Sequence, residues 1–435
     1  MDTLERAWAR ARRSLSHLLS RPGGPPAIQR ARLALLGIAV VALAAGAIVG
    51  AGALTGDDEP ASKTVEEAGG GTAPGTEQSF LARLIPAPPE KVEGPKAPRS
   101  VEDLTKRLPL ERKVAQLFLV GFDGTDLLAP IFGRLRENDL GGIVLDQQNY
   151  ETPQQLASLT GEARVISQQE KHVPPFVLTA QEGGDFNEFA DLPPAKAPSQ
   201  IADAGEAREQ ARTAAKALAP LGVTGVLAPD IDVGGETIGE RAFSDDPRAV
   251  AAFARATIDA YRQSRLLSAP KYFPGLGAAS QSTEAGPAQV GLTPDELEER
   301  DLIPFRAAIK AKAPAIVVGH GLYATDDFVT PASLSKSITT DLLRDRLGFK
   351  GVAIADDLSS PAVTAVSRVP DAAVAAINAG ADLIYISRPQ GSQEAAYLAV
   401  LNAVRKGIIS RERINEALRR SLTAKKNLGL IQSSR

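Results

Sequence analysis

Leu347-Gly348-Phe349-Lys350-Gly351-Val352-Ala353-Ile354-Ala355-Asp356-Asp357-Leu358 contains a short apolar run, Gly351 to Ala355, that stops abruptly at two adjacent carboxylates. A run of that length, followed at once by charge, reads as a buried β-strand rather than a helix. Seven similar runs are found, at Gln116 to Val120, Gly142 to Leu145, Phe176 to Thr179, Gly225 to Ala228, Ser268 to Phe273, Ala315 to Val318 and Leu383 to Ile386. Between them lie stretches with helical periodicity, among them Asp203 to Leu218, Pro247 to Ser264, Thr293 to Ala313 and Ser392 to Lys406. Strands separated by helices pair in parallel through right-handed crossovers, and eight such units in ~330 residues are the number that closes a (β/α)8 TIM-type barrel. An open doubly wound sheet is the alternative. Its glycine-rich first turn is missing, because Gly121-Phe122-Asp123-Gly124 lacks the GxGxxG spacing.

In such a barrel the chemistry is built at the carboxyl ends of the strands. Those ends read Ala180-Gln181-Glu182-Gly183-Gly184, Ala228-Pro229-Asp230-Ile231-Asp232, Lys271-Tyr272-Phe273-Pro274-Gly275, Gly319-His320-Gly321 and Ala355-Asp356-Asp357-Leu358. They describe a cleft of carboxylates, one lysine, one histidine and glycines, with no phosphate loop and no soft-metal set. Carboxylate chemistry of the kind used in glycoside hydrolysis is the natural expectation. Asp230 and Asp232 alone are a weak signal for a hard cation, and Lys271 has no second lysine or apolar cage to prepare it for a Schiff base. Neither a cofactor nor a metal is implied.

The same residues carry a resemblance. Gln181-Glu182-Gly183-Gly184, Ile238-Gly239-Glu240-Arg241-Ala242-Phe243 with Asp246-Pro247, Lys271-Tyr272-Phe273-Pro274-Gly275, Pro331-Ala332-Ser333-Leu334-Ser335, and Leu347-Gly348-Phe349-Lys350-Gly351 leading to Asp356-Asp357-Leu358 follow one another as in family 3 glycoside hydrolases. Within that family the chain resembles the single-domain bacterial β-N-acetylglucosaminidases, over roughly Leu104 to Leu430. The resemblance implies a retaining glycosidase acting on β-linked N-acetylhexosamine, with Asp356 as nucleophile and Asp357 as its structural neighbour. It places Arg241 and Lys271 on the sugar hydroxyls, and Tyr272, His320 and Asp232 are read as further substrate-binding positions.

The sequence also departs from the family pattern. Members read KHFPGHG followed by DSH, whose histidine, oriented by the aspartate, acts as acid/base; here the stretches are Lys271-Tyr272-Phe273-Pro274-Gly275-Leu276-Gly277 and Ser282-Thr283-Glu284. The family's DQEGGR likewise has an aspartate and an arginine where this chain has Ala180 and Asp185. Glu284 is the candidate replacement acid, against the reading of an ordinary solvated glutamate. Asp356 can be read as a helix cap, and His320 as a structural hydrogen-bonding residue. A glycan-binding pseudoenzyme of the cell envelope is the second functional expectation.

Residues 33–54, LALLGIAVVALAAGAIVGAGAL, carry no charge, and at 1.5 Å per residue they span ~33 Å, the thickness of a bilayer core. Residues 1–32 hold Arg6, Arg10, Arg12, Arg13, Arg21, Arg30 and Arg32 against Asp2 and Glu5, a bias that keeps this arm cytoplasmic. A cleaved secretory signal is the rival, though this apolar run is longer than a usual signal core. Residues 55–100 are rich in Gly, Pro and charge and read as a tether. The expected organisation is a cytoplasmic segment (1–32), a transmembrane helix (33–54), a linker (55–100) and an extracytoplasmic barrel (101–435) at the cell membrane, with carbohydrate as partner. The chain has no cysteine, which excludes disulfides and thiolate chemistry, and only three histidines, which argues against a multi-histidine metal site. A net charge of -3 without a long basic stripe in the second half gives no sign of a nucleic-acid footprint, and no nucleic-acid partner is expected.

Overall fold

Eight parallel strands form one sheet: β1 (Phe118–Val120), β2 (Gly142–Leu145), β3 (Phe176–Thr179), β4 (Gly225–Val226), β5 (Leu267–Ser268), β6 (Ala315–Val318), β7 (Val352–Ala355) and β8 (Leu383–Ile386). The computed structural model describes residues 97–326 and 328–431. Hydrogen-bonded neighbours run β5-β4-β3-β2-β1-β8-β7-β6. The two outer strands approach through a parallel bridge between Phe273 and Val318, where Phe273 N donates to Val317 O and Gly319 N to Phe273 O, both at 2.9 Å. The result is a nearly closed barrel of the TIM type, and the order of neighbours rules out the doubly wound sheet.

Four strands are shorter than their apolar runs, those expected at Gln116 to Val120, Gly225 to Ala228, Ser268 to Phe273 and Gly351 to Ala355. The run expected from Ser268 to Phe273 yields only Leu267–Ser268, because Pro270 and Pro274 have no N–H to give to a ladder. Gln116, expected in the first strand, ends the helix Leu110–Ala115 instead. Its buried amide donates to Asp139 and to Leu140 O.

Alternation along the strands separates two layers of core. Leu119, Val144, Phe176, Leu178, Val317, Ile354 and Leu383 fill the barrel, while their neighbours Phe118, Val120, Val177, Ile384 and Ile386 pack outward against helices. The helices start where the sequence supplies caps: Asp203 accepts from Gly205 N and Glu206 N, and Asp246 accepts from Arg248 N. The stretch expected as one helix from Thr293 to Ala313 is two, Pro294–Glu299 and Leu302–Lys310. Arg300 leaves helical geometry there and reaches the carbonyls of Val233 and Gly234.

Beneath the barrel, the C-terminal helix Arg411–Asn427 inserts Lys425, fully buried, whose Nζ donates to Gln116 Oε1 at 2.8 Å and lies 4.9 Å from the Phe176 ring centre. Among the described residues no helix is long and apolar enough to cross a membrane. The expected cytoplasmic segment, the transmembrane helix and all of the linker up to residue 96 lie outside the described residues.

Candidate active site

The carboxyl ends of the strands surround a cleft of about 320 Å³. β2 contributes Asp146, the loop after β3 Ala180, Glu182 and Glu188, and the loop after β4 Arg241. The segment after β5 adds Lys271, Tyr272, Thr283 and Glu284, β7 adds Asp356 and Asp357, and β8 adds Tyr385.

The loop after β3 is built from its own sequence. Gly183 and Gly184 have φ of +123° and +56°, and a Cβ on Gly183 would come within 2.2 Å of Lys196 O, so only glycine lets the loop double back. Gln181 donates to the carbonyls of Phe189, Leu192 and Pro193, and Asn187 accepts from Gly183 N at 2.7 Å. These bonds direct Glu182 toward the barrel axis. There Lys271 Nζ donates to Glu182 Oε1 at 2.6 Å, with both side chains buried, and Arg241 stands 3.6 Å from the same oxygen. Burial would lower the pKa of Lys271, but Glu182 and then Tyr272 more than offset this, so it is held well above the usual lysine value. A permanently charged, paired ammonium is the opposite of what Schiff-base chemistry requires.

The two carboxylates after β7 differ. Asp357 Oδ1 accepts from Ser359 N and from Ser387 N, each at 2.9 Å, which ties this loop to the end of β8. Asp356 receives no hydrogen bond from another side chain among the described residues and lines the cleft. Its pKa is raised, first by burial, with His320 and Lys271 acting in the opposite sense.

Two positions read as substrate-binding lie elsewhere. His320 is 1% exposed; its Nε2 donates to Asp357 O at 2.9 Å and its Nδ1 meets Ser333 Oγ at 2.8 Å. Both ring nitrogens are thus engaged, Nε2 at the Asp356-Asp357 turn and Nδ1 with Ser333, and the histidine stands behind the cleft wall. Asp232 is also 1% exposed, and its Oδ1 accepts from Leu276 N at 2.7 Å, while Asp230 accepts from Asp232 N. The strand-end rule located these residues, but side-chain direction at the turn carries them away from the opening. Asp230, buried beside Glu182, has its pKa pushed up to about 7. Glu284 lies exposed on the cleft rim, and Tyr272 is half-buried with its ring 4.8 Å from Lys271 Nζ.

The sequence placed Glu182 among the cleft carboxylates without a particular role, and did not bring out Asp146, Glu188 or Tyr385. Asp146 directly follows β2 and was accessible to the strand-end rule. Glu188 had no local signal, because only the fold of its loop returns it to the cleft.

The family model described as the Glycosyl hydrolase family 3 N terminal domain matches residues 109–424. A β-hexosaminidase of Xanthomonas oryzae is 32% identical over 286 residues, covering 63% of this chain and 84% of that protein. A β-hexosaminidase of Stenotrophomonas maltophilia is 32% identical over 295 residues, 65% and 86% of the two chains. Among solved structures, a family 3 β-N-acetylglucosaminidase from Paenibacillus superposes with a TM-score of 0.72 at 30% identity over 75% of this chain; this chain spans 64% of that one. A β-N-acetylhexosaminidase from Beutenbergia cavernae gives 0.66 at 27% identity, over 73% and 99%. With its barrel, its carboxylate-lined cleft and a family match over most of its length, this chain belongs to glycoside hydrolase family 3.

Proposed function

We propose that the protein is a retaining glycosidase acting on β-linked N-acetylhexosamine, with Asp356 as its nucleophile. The observation that carries this reading is the division of labour after β7: Asp357 is engaged by backbone donors, whereas Asp356 faces the cleft without a side-chain partner. In this scheme an Asp356 oxygen attacks the anomeric carbon as the bond to the glycosidic oxygen breaks, and that oxygen leaves with a proton from an acid. Water, giving a proton back to that acid, then adds to the anomeric carbon and releases the carboxylate. Glu284 on the rim is the residue we assign as acid, with a substrate-derived group as the alternative donor. Arg241, Lys271 and Tyr272 hold the sugar, and the family's β-hexosaminidases and β-N-acetylglucosaminidases support the substrate class.

The uncharged stretch 33–54, the arginines before it and the Gly/Pro-rich stretch 55–100 support a membrane-tethered barrel, residues 101–435, acting on cell-wall glycan outside the cytoplasm.

The test is aryl-alcohol release by the full chain, purified in detergent, from an activated aryl β-N-acetylglucosaminide. Asp356→Asn is expected to lose at least about 10³-fold. Glu284→Gln is expected to be nearly silent on that substrate and to lose about 10²–10⁴-fold on a poor leaving group, where acid assistance matters. No release by the parent protein across a panel of sugars would overturn the hydrolase reading in favour of a glycan-binding protein without turnover.

A further inference from the structure

Asp356 after β7 and Glu188 after β3 line the same cleft from opposite walls. In the strand order β3 and β7 are four places apart in a ring of eight, and therefore diametrically opposed. A pyranose has the same layout: C4 is the ring corner opposite the anomeric carbon. A sugar whose anomeric carbon sits at Asp356 and whose ring spans the cleft brings its 4-hydroxyl, with the adjacent 3- and 6-hydroxyls, to the β3 wall.

That wall presents three residues to the cavity. Ala180 ends at its methyl. Glu182 is held by Lys271, its side chain 1% exposed. Glu188 is half-buried and is fixed at two points: its N–H donates to Ala180 O at 3.2 Å, and its Oε2 accepts from Gln147 N at 3.1 Å. Its Oε1 has no protein partner among the described residues. A fixed carboxylate with one free oxygen in a partly desolvated cleft is a strong acceptor for a hydroxyl. Burial raises its pKa, opposed by Gln147 N–H and reinforced by Asp146.

We infer that Glu188 recognises the hydroxyl at the end of the sugar ring remote from the scissile bond, and is a specificity-determining residue of this cleft. The inference rests on the glycosidase reading above. Its test compares kcat/KM of the full chain and of Glu188→Ala on an aryl β-N-acetylglucosaminide and on its 3-, 4- and 6-deoxy analogues, with thermal unfolding followed in parallel. On the complete sugar the variant is expected to lose about 10–100-fold. On one deoxy analogue the loss shrinks to less than about threefold, since the partner hydroxyl is already gone. Glu188→Gln, which keeps the shape and the bond from Gln147, is expected to show the same substrate pattern at smaller amplitude. An equal loss on every analogue, or no loss on the complete sugar, overturns the role of Glu188 while the parent's hydrolysis leaves the glycosidase reading standing. A parent that hydrolyses none of the sugars overturns both.

Discussion

Lys271 and Glu182 are buried together at the floor of the cleft, and each makes the other tolerable there. Removing one partner leaves an uncompensated charge, which costs ~3–5 kcal/mol in a buried pair. Lys271→Met is therefore expected to lower the urea unfolding free energy by about that amount, somewhat less if Arg241, 3.6 Å from Glu182, closes in. Adding Glu182→Gln should restore most of the loss, because the stranded charge has gone; a double variant as unstable as the single would contradict the pairing. At this scale the motif letters identified Lys271, yet its partner was legible only as the second residue of Gln181-Glu182-Gly183-Gly184. The pairing joins positions 89 residues apart, and sequence spacing says nothing about which distant side chains share an interior.

At the scale of elements, the base of the barrel is organised by Asp382, just before β8. It is fully buried and accepts from Arg344 at 2.5 Å, Arg413 at 2.6 Å, Arg420 at 3.0 Å and Ala353 N at 3.0 Å. One carboxylate thus joins the π-helical segment Ser337–Arg346, β7 and the C-terminal helix Arg411–Asn427. Burial would raise its pKa, but Arg344, Arg420 and Arg413 more than offset this and hold it below the usual value. Asp382→Asn removes the only carboxylate paired with the buried Arg344 among the described residues, while Arg413 and Arg420 keep Glu416, and it is expected to cost ~3–5 kcal/mol in urea unfolding. The site lies at the opposite end of the barrel from the cleft, so the folded fraction should keep the parent's kcat/KM. A variant of normal stability, or one folded but inactive, would show that the network does something else. Helices with capped, periodic sequences were foreseeable. The break at Arg300 was not, because it serves the carbonyls of Val233 and Gly234 more than 60 positions away.

For the whole molecule, the pH dependence of stability combines groups shifted in opposite directions. Burial pushes Asp230 up to about 7 and Asp301 up to about 6, against about 3.9 for an aspartate in the unfolded chain. Between those values the native state binds more protons than the unfolded state, so these groups make stability fall as pH rises from about 4 toward 7. Asp382 and Glu416, whose pKa values are lowered, act the other way: their contribution is present above the unfolded value and is lost as pH falls through the folded one. Asp230→Asn, which keeps an acceptor for Asp232 N, should flatten the slope between about pH 4 and 7 in urea midpoints measured across that range. An unchanged slope would mean that Asp230 is ionised in the native protein at neutral pH. The sequence by itself determined the barrel and the set of chemical groups at its mouth, because strand length, apolar runs and the residue ending each strand are local properties. Tertiary structure decided which of those groups face the cleft. It turned Asp356 inward and Asp357 toward backbone donors, enclosed His320 and Asp232, and returned Glu188 to the wall opposite the proposed nucleophile, because side-chain direction at a strand end depends on what the rest of the chain packs around it.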